Sequence, residues 1–312
     1  MSDNKATTSR LYLLFWLIIL FNPTNAYTQP QPFNNTNPVV THLNEKLSLN
    51  ATDKPPAASD NEIEAIIKRG KLVVAMYSED TPPFYYVDKN KQLTGIDVAL
   101  IKGFADMLGV LVEFDRSAKF LDDVVDKVEK QQADVAICKL SMTFSRVRRV
   151  LFTRPYIHLR QGLLINRLRL AQQLNDRTRE EAIQTLKGKI GVVAKSSYVK
   201  YAQQKLKNAQ VVEYPTWNEA VSDVLAGKIV GTYRDEAEIK MIVRDRPDTA
   251  LQLLSVVLKD AEDPKAIAVS LQHRHLKDLL NFYIESLNLN LTVDKVLNNY
   301  DGVIKSIETK TK

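Results

Sequence analysis

Hydroxyl and basic side chains that could hold a small anion follow directly after a predicted buried strand. Residues 134–138 are largely apolar and include β-branched side chains, which indicates a short strand inside a sheet. Ser141 and Thr143 come next, and Thr143 is a suitable N-cap for the turn that contains Arg146. A guanidinium fork beside free backbone N–H groups stabilises a carboxylate or a phosphate. The stretch therefore predicts an anion site where this strand ends.

Predicted strands and helices alternate from about residue 61 onward, and they determine where such a site can lie. Apolar strands at 72–76 and 110–114 are each followed by an amphipathic helical segment. Strands separated by helices indicate a mostly parallel sheet, whose ligands bind at the carboxyl ends of the strands. We therefore expect ligand contacts in the loops after residues 76 and 138. The length of 312 residues allows two domains.

Composition argues against several classes of function. The net charge is +6, but Lys and Arg are scattered along the chain and form no basic block with aromatics, so we expect no nucleic-acid partner. Cys138 is the single cysteine, which excludes an internal disulfide and a CxxC metal site. His273 and His275 are two residues apart and would face different sides of a helix. We predict neither a metal nor a cofactor.

Residues 1–26 have the pattern of a cleaved signal peptide. Lys5 and Arg10 precede an apolar run at 11–21, and small residues allow a cut after Ala26. The run is shorter than the roughly twenty residues that span a bilayer, although an uncleaved anchor stays an alternative. Residues 27–60, rich in Asn, Thr, Gln and Pro, predict a disordered leader. The expected location is the periplasm.

An ordered set of short motifs resembles the family 3 extracellular solute-binding proteins, the periplasmic amino-acid receptors of ABC transporters. The resemblance covers about residues 62 to 302. The motifs are Lys71-Leu72-Val73-Val74-Ala75, Pro83-Phe84, Leu93-Thr94-Gly95-Ile96-Asp97-Val98, Ala133-Asp134-Val135, Thr143 with Arg146, and Phe152-Thr153-Arg154-Pro155-Tyr156.

The resemblance implies an α/β fold of the type II periplasmic-binding-protein kind. Two lobes, each a mostly parallel sheet flanked by helices, would be joined by two crossover hinge strands. Lobe 1 would comprise 61–157 and 262–312, and lobe 2 would comprise 158–261. We expect a monomer.

The resemblance also implies where the ligand binds. The loop at Ser196 and Ser197 matches the family's second anion loop, and Asp235 matches the acid that contacts the ligand's α-ammonium, with Glu79 as a possible helper. Alternative interpretations stay open: Arg146 as a surface arginine, Asp235 as a helix N-cap, the serines as caps, Tyr77 and Phe120 as core. The ligand-binding residues so implied are Arg146, Ser141, Asp235, Ser197, Ser196, Lys139, Tyr77, Phe120 and Glu79.

Two departures from the family pattern bear on the ligand. Lys139 stands where many members have a small residue, and Arg234 precedes Asp235. If both side chains enter the cleft, they favour an acidic ligand such as glutamate or aspartate and disfavour lysine or arginine. If they point to solvent, they carry no information on the ligand. The expected function is binding of a small amino acid by lobe closure and its delivery to an ABC permease, without enzymatic activity.

Two other functions remain as alternatives on the same fold. One is an enzyme similar to cyclohexadienyl or arogenate dehydratases, in which Glu236 or Glu79 would help a hydroxyl leave. The other is a ligand-sensing or partner-binding module, which a long leader would suit.

Overall fold

The computed structural model describes residues 62–311, so the predicted signal peptide (1–26) and leader (27–60) lie outside the described residues. The described strands form two five-stranded sheets and one two-stranded sheet. In each large sheet four of the five strands point the same way. We call the first sheet with its helices lobe 1 and the second lobe 2. The predicted two-lobed α/β fold is confirmed.

Lobe 1 is built from two separate parts of the chain, because one strand of its sheet comes from near the C-terminus. The strand order is β4–β1–β5–β12–β6, with β12 antiparallel to both of its neighbours. Its elements are α1 Glu62–Arg69, β1 Lys71–Tyr77, β2 Tyr86–Val87, β3 Leu93–Thr94, α2 Ile96–Leu108, β4 Leu111–Ala118, α3 Leu121–Glu129, β5 Val135–Ala136, α4 Phe144–Val147, β6 Val150–Phe152, β12 Ala268–Ser270, α10 Arg274–Leu287, α11 Val293–Asn298 and α12 Tyr300–Lys310.

Lobe 2 is formed by the continuous segment between these two parts. Its strand order is β11–β7–β10–β8–β9, and β10, β8 and β9 are mutually parallel. Its elements are β7 Ile157–Asn166, α5 Arg167–Ala171, α6 Arg179–Gln184, β8 Gly188–Val193, α7 Ser197–Lys205, β9 Ala209–Tyr214, α8 Trp217–Leu225, β10 Gly231–Asp235, α9 Glu236–Asp245, a 3-10 turn at Pro247–Leu251 and β11 Leu253–Lys265.

Two long strands, β7 and β11, run between the lobes and pair antiparallel, with a shift of register between Val257 and Glu262. Leu253 opposes Asn166 inside lobe 2, and Lys265 opposes Ile157, which packs in the core of lobe 1. We take these strands as the crossovers. The lobe boundaries at 157 and 262 remain predictions.

The loops that carry the site depend on unusual backbone conformations. β5 is shorter than the predicted strand at 134–138, and the chain leaves it through Lys139, whose φ of 53° lies in the left-handed region. Gly95 has φ 123°, and a Cβ there would lie 2.3 Å from the carbonyl oxygen of Phe84. Only glycine allows α2 to begin so close to the Phe84 loop.

From residue 275 onward the sequence predicts closing helices that break around residues 288–290 and end at Gly302, and the C-terminal helices differ from this pattern in one respect. The predicted break near residues 288–290 is present, since Asn288 ends α10 with a left-handed φ of 42°. The prediction that the last helix ends at Gly302 is wrong, because α12 continues to Lys310. A glycine near the start of a helix costs about 1 kcal/mol, which the burial of Val303 and Ile307 offsets.

Candidate ligand site between the two lobes

Arg146 lies at the base of the cleft on the side of lobe 1. Thr143 caps α4 as predicted, since its hydroxyl accepts the backbone N–H of Arg146 at 3.3 Å. The arginine is only 2% exposed. Its Nε and Nη2 donate to Asp122 Oδ1 at 3.0 and 2.8 Å, and its Nη1 donates to the carbonyl oxygen of Ser141 at 3.1 Å. Arg146 is therefore an inward-facing fork, and a carboxylate of its own lobe occupies part of it.

Two serines join the lobes directly. Ser197, the first residue of α7, donates from Oγ to Ser141 Oγ at 3.0 Å. Both residues are buried. Ser196 faces elsewhere, because its hydroxyl donates to the carbonyl oxygen of Val193 at 2.6 Å within its own loop. Of the two serines predicted in this loop, the structure brings Ser197 to the other predicted groups and does not bring Ser196.

Asp235 is a buried acid of lobe 2 and is 0% exposed. It is the N-cap of α9, since Oδ1 accepts the backbone N–H of Glu238 at 3.2 Å, while its contact with a ligand stays a prediction. Lys139 reaches across from lobe 1, with Nζ 2.9 Å from Asp235 Oδ2 and 2.5 Å from Glu238 Oε1. Burial alone would raise the pKa of Asp235, but the ammonium groups of Lys139 and Lys265 hold it below its usual range.

Three side chains that the sequence did not single out connect these groups. Lys265, on β11 and 1% exposed, donates from Nζ to Ser141 Oγ at 2.8 Å, to Asp263 Oδ2 at 2.5 Å and to the Tyr198 hydroxyl at 3.0 Å. The Tyr198 hydroxyl lies 3.2 Å from Asp235 Oδ2 and also contacts Asp263. Burial lowers the pKa of Lys265, and the carboxylates of Asp263 and Asp235 oppose this effect.

A pattern in the sequence could have drawn attention to part of this network. Asp263 and Lys265 are two residues apart on a predicted crossover strand, so they share one face of it. Glu238 is three residues after the N-cap Asp235, a position that faces the start of the helix. The choice of partners could not be inferred from these spacings, because it depends on how the two lobes meet.

Two other predicted residues line a small cavity between the lobes. Tyr77 and Glu79 line it together with Trp217 and Arg234. Tyr77 is buried, which raises the pKa of its hydroxyl, whereas Glu79 is exposed. The volume of about 60 Å³ equals roughly two water molecules, and ligand pockets usually exceed about 300 Å³.

Phe120 lies at the opposite rim and contacts lobe 2 through its ring. Lys195, in the loop before α7, places Nζ 4.2 Å from the ring centroid. The ring therefore meets a side chain of the other lobe, and its role toward a ligand stays a prediction.

A larger cavity of about 610 Å³ lies on lobe 2, away from these charges. It is bounded by α6, the end of α7 and the edge strand β11. The cleft is the candidate ligand site, because buried groups of both signs from both lobes meet there.

The described residues also bear on other kinds of site. No group of three or more His, Cys, Asp or Glu side chains within 62–311 is arranged to hold a metal ion. In the same range no helix has the length and apolar character needed to cross a membrane.

Glu236 accepts the backbone N–H of Arg160 at 2.9 Å and Nζ of Lys240 at 2.8 Å, so its carboxylate is bound outside the cleft network.

Comparison with known proteins identifies the family. Residues 72–303 match the bacterial extracellular solute-binding proteins, family 3. The chain belongs to this family. The resemblance inferred from its short motifs is thus confirmed, and as a family 3 protein it is a member of an extracellular class of binding proteins.

Relatives of this family 3 protein fall into two groups. A putative ABC transporter arginine-binding protein 2 of Escherichia coli is 24% identical over 70% of this chain and 86% of its own length. A membrane-bound lytic murein transglycosylase F of Pseudomonas fluorescens is 25% identical over 74% of this chain, which spans only 46% of the transglycosylase. The chain thus covers most of a binding protein and about half of the second kind of relative.

A solved structure supports the same relationship. An amino acid ABC transporter substrate-binding protein of Streptococcus pneumoniae, bound to L-arginine, has a TM-score of 0.62 and 26% identity. The match covers 78% of this chain and 98% of that protein.

Proposed function

We propose that this family 3 protein is a periplasmic receptor that binds an amino acid between its lobes and delivers it to an ABC permease. One observation carries the proposal: a buried guanidinium on lobe 1, buried hydroxyls on both lobes and buried carboxylates on lobe 2 come together in the cleft. Arg146 and Ser141 belong to lobe 1, while Ser197 and Asp235 belong to lobe 2. An amino-acid zwitterion needs such a pair of sites.

Each end of the ligand would replace a contact that the protein now makes with itself. The ligand carboxylate would take the place of Asp122, whose side chain is 48% exposed, on the Arg146 fork. Ser197 and the first backbone N–H groups of α7 would add donors to the same carboxylate. The ligand ammonium would bind Asp235 and Glu238. Because the ligand contacts both lobes only when they are closed, its binding shifts the population toward closure.

The pairing of two cleft cations bears on the charge of the ligand side chain. Both Lys139 and Arg234 enter the cleft, as the preference for an acidic ligand required. Lys139 is paired with two carboxylates, and Arg234 lies 3.6 Å from Glu238 and 5.1 Å from the ring of Trp217. We infer a neutral or basic amino acid from the arginine-binding relatives, and keep an acidic one as the alternative.

An enzymatic function has less support. Of the two acids proposed for a dehydratase, Glu236 is held by Arg160 and Lys240, and Glu79 is exposed at the cavity mouth. The transglycosylase relatives extend well beyond the length of this chain, so their activity is not carried over. We propose a binding protein without catalytic function.

The test is a thermal-shift screen of the purified chain against the common amino acids, small dicarboxylates and prephenate. A ligand that binds only the folded state raises the unfolding midpoint. At a hundredfold excess over Kd, it adds about 2.7 kcal/mol to the free energy of unfolding. We expect a shift with L-arginine or another basic or neutral amino acid.

A matched pair of variants assigns the shift to the cleft. Arg146→Ala should abolish it, while Arg148→Ala, two residues on and exposed, should leave it unchanged. A shift with prephenate alone would support the dehydratase, and no shift with any compound would support the partner-binding module. An equal shift in both arginine variants would contradict the site.

A further inference from the structure

The structure assigns Lys139 an unexpected role: its ammonium occupies the cation subsite of the cleft as an internal ligand. An incoming amino acid therefore binds only by displacing this ammonium. The subsite is formed by Asp235 and Glu238 of lobe 2 and by the ring of Phe84 of lobe 1. This inference rests on the proposed function for the identity of the competing ligand, but not for the state of the protein without ligand.

The contacts of Lys139 are those that an amino-acid ammonium would make. Nζ lies within hydrogen-bond distance of both carboxylates, at 2.9 and 2.5 Å, and 4.9 Å from the centroid of the Phe84 ring. The lysine side chain is 4% exposed, and those of Asp235 and Glu238 are 0% and 8% exposed. Two acids and an aromatic face around one buried cation make a complete ammonium site.

The ion pairs join the two lobes without help from a ligand. Lys139 belongs to lobe 1 and both acids belong to lobe 2. If the lysine side chain is removed, the closed lobes leave Asp235 with the Tyr198 hydroxyl and Glu238 with Arg234 at 3.6 Å. Two buried carboxylates that lose their shared, directly bonded cation are unfavourable. Opening exposes them to water, so we expect the loss to appear as lobe opening rather than as unfolding.

The backbone of Lys139 is an independent sign that the side chain has a function. Its φ of 53° is in the left-handed region, which is strained for a residue other than glycine. The backbone N–H is fixed in this conformation by a 2.7 Å hydrogen bond to Asp97 Oδ2. Glycine would fit the position without strain, so a lysine there stands against the local preference of the backbone.

The space in the cleft agrees with displacement. The cavity beside the subsite measures about 60 Å³, which is too small for an amino acid. A ligand must therefore open the lobes and take the place of the Lys139 ammonium. The apparent affinity is reduced by the fraction of molecules in which the lysine holds the site.

The first experiment needs no ligand. Spin labels at Lys102→Cys of lobe 1 and Gln204→Cys of lobe 2, both exposed, report the distance between lobes, while the buried Cys138 stays unlabelled. We expect a short, narrow distance distribution for the otherwise wild-type chain and a longer, broader one for Lys139→Gly. Lys139→Arg keeps the charge and should stay short. Identical distributions for wild type and Lys139→Gly would overturn the inference.

The control separates the side chain from the backbone. Lys91→Gly removes another lysine with positive φ, 61°, in an exposed turn away from the cleft. It should relieve the same backbone strain and leave the lobe distance unchanged. If it lengthens the distance as Lys139→Gly does, the effect is not due to the cation subsite.

The second experiment measures competition by calorimetry with L-arginine, L-glutamine and L-glutamate as probes. If Lys139 holds the subsite in nine of ten molecules, its removal should tighten binding of a probe about tenfold. Tighter binding by Lys139→Gly supports displacement, and equal or weaker binding overturns it. If no probe binds either protein, the proposed function fails, while the distance measurement still decides whether Lys139 holds the lobes together.

Discussion

The two loops that face each other across the cleft share a backbone conformation, but their contacts with the opposite lobe differ in strength. Each follows a strand of its sheet and contains a lysine with left-handed φ, 53° at Lys139 and 50° at Lys195. Each lysine reaches the opposite lobe, and a carboxylate accepts its backbone N–H. The acceptor is Asp97 at 2.7 Å for Lys139 and Glu213 at 3.3 Å for Lys195.

The difference between the loops is one of burial. Lys139 and Asp97 are buried, and the lysine ammonium has two carboxylate partners. Lys195 and Glu213 are both exposed, and the ammonium of Lys195 contacts the ring of Phe120. Breaking a buried pair costs about 3–5 kcal/mol, whereas an exposed cation–π contact contributes about 0.5–1 kcal/mol. Lys139 therefore contributes more to the free energy of lobe closure than Lys195 does.

The largest expected difference between the loops is in how their supporting carboxylates respond to pH. Burial raises the pKa of Asp97 to about 7, with the N–H and charge of Lys139 acting in the opposite direction. Between about pH 4 and 7 the folded state keeps a proton that the unfolded state has lost. The free energy of unfolding therefore falls as pH rises through this range, by on the order of 3–4 kcal/mol, and is level above it.

Asp97→Asn should remove this slope while keeping an acceptor for the Lys139 amide. Glu213→Gln is its counterpart in the other loop and should keep the wild-type slope, because it leaves Asp97 and its surroundings unchanged. Urea unfolding at several pH values measures both. Asp235 does not interfere, since its lowered pKa makes its contribution change only below about pH 4. A slope that survives in Asp97→Asn would contradict the assignment.

How far the sequence predicts this site depends on whether a residue's role is set locally. The turn that carries Arg146 could be predicted, because Thr143 is its N-cap and local spacing determines the turn. The contacts of Lys265 could not, since its partners include residues from distant segments. Ser196 and Ser197 show the limit of local reasoning: Ser196 is the N-cap with extended backbone and Ser197 is the first helical residue, and that difference decides which hydroxyl reaches Ser141.

A smaller effect is expected from the hydroxyls of the lobe 2 loop. Ser197→Ala removes the donor to Ser141 Oγ, which keeps Lys265 as a partner, so the loss is that of one ordinary hydrogen bond. Affinity for the amino acid that gives the largest thermal shift should fall about fivefold, roughly 1 kcal/mol. Ser196→Ala, whose hydroxyl bonds to Val193 within the loop, should leave affinity unchanged. Calorimetry that shows equal losses would contradict the different roles of the two serines.

The smallest effect on the distance between the lobes should follow removal of the Lys195 side chain. Lys195→Gly loses a cation–π contact of about 0.5–1 kcal/mol and gains about as much by relieving a left-handed φ, so the two changes nearly cancel. The distance between spin-labelled lobes should stay at the wild-type value, in contrast to Lys139→Gly. Phe120→Leu, which removes the ring but not the backbone strain, should cost the contact alone. If Lys195→Gly opened the lobes as far as Lys139→Gly, the loops would contribute equally to closure, and burial would not be what distinguishes them.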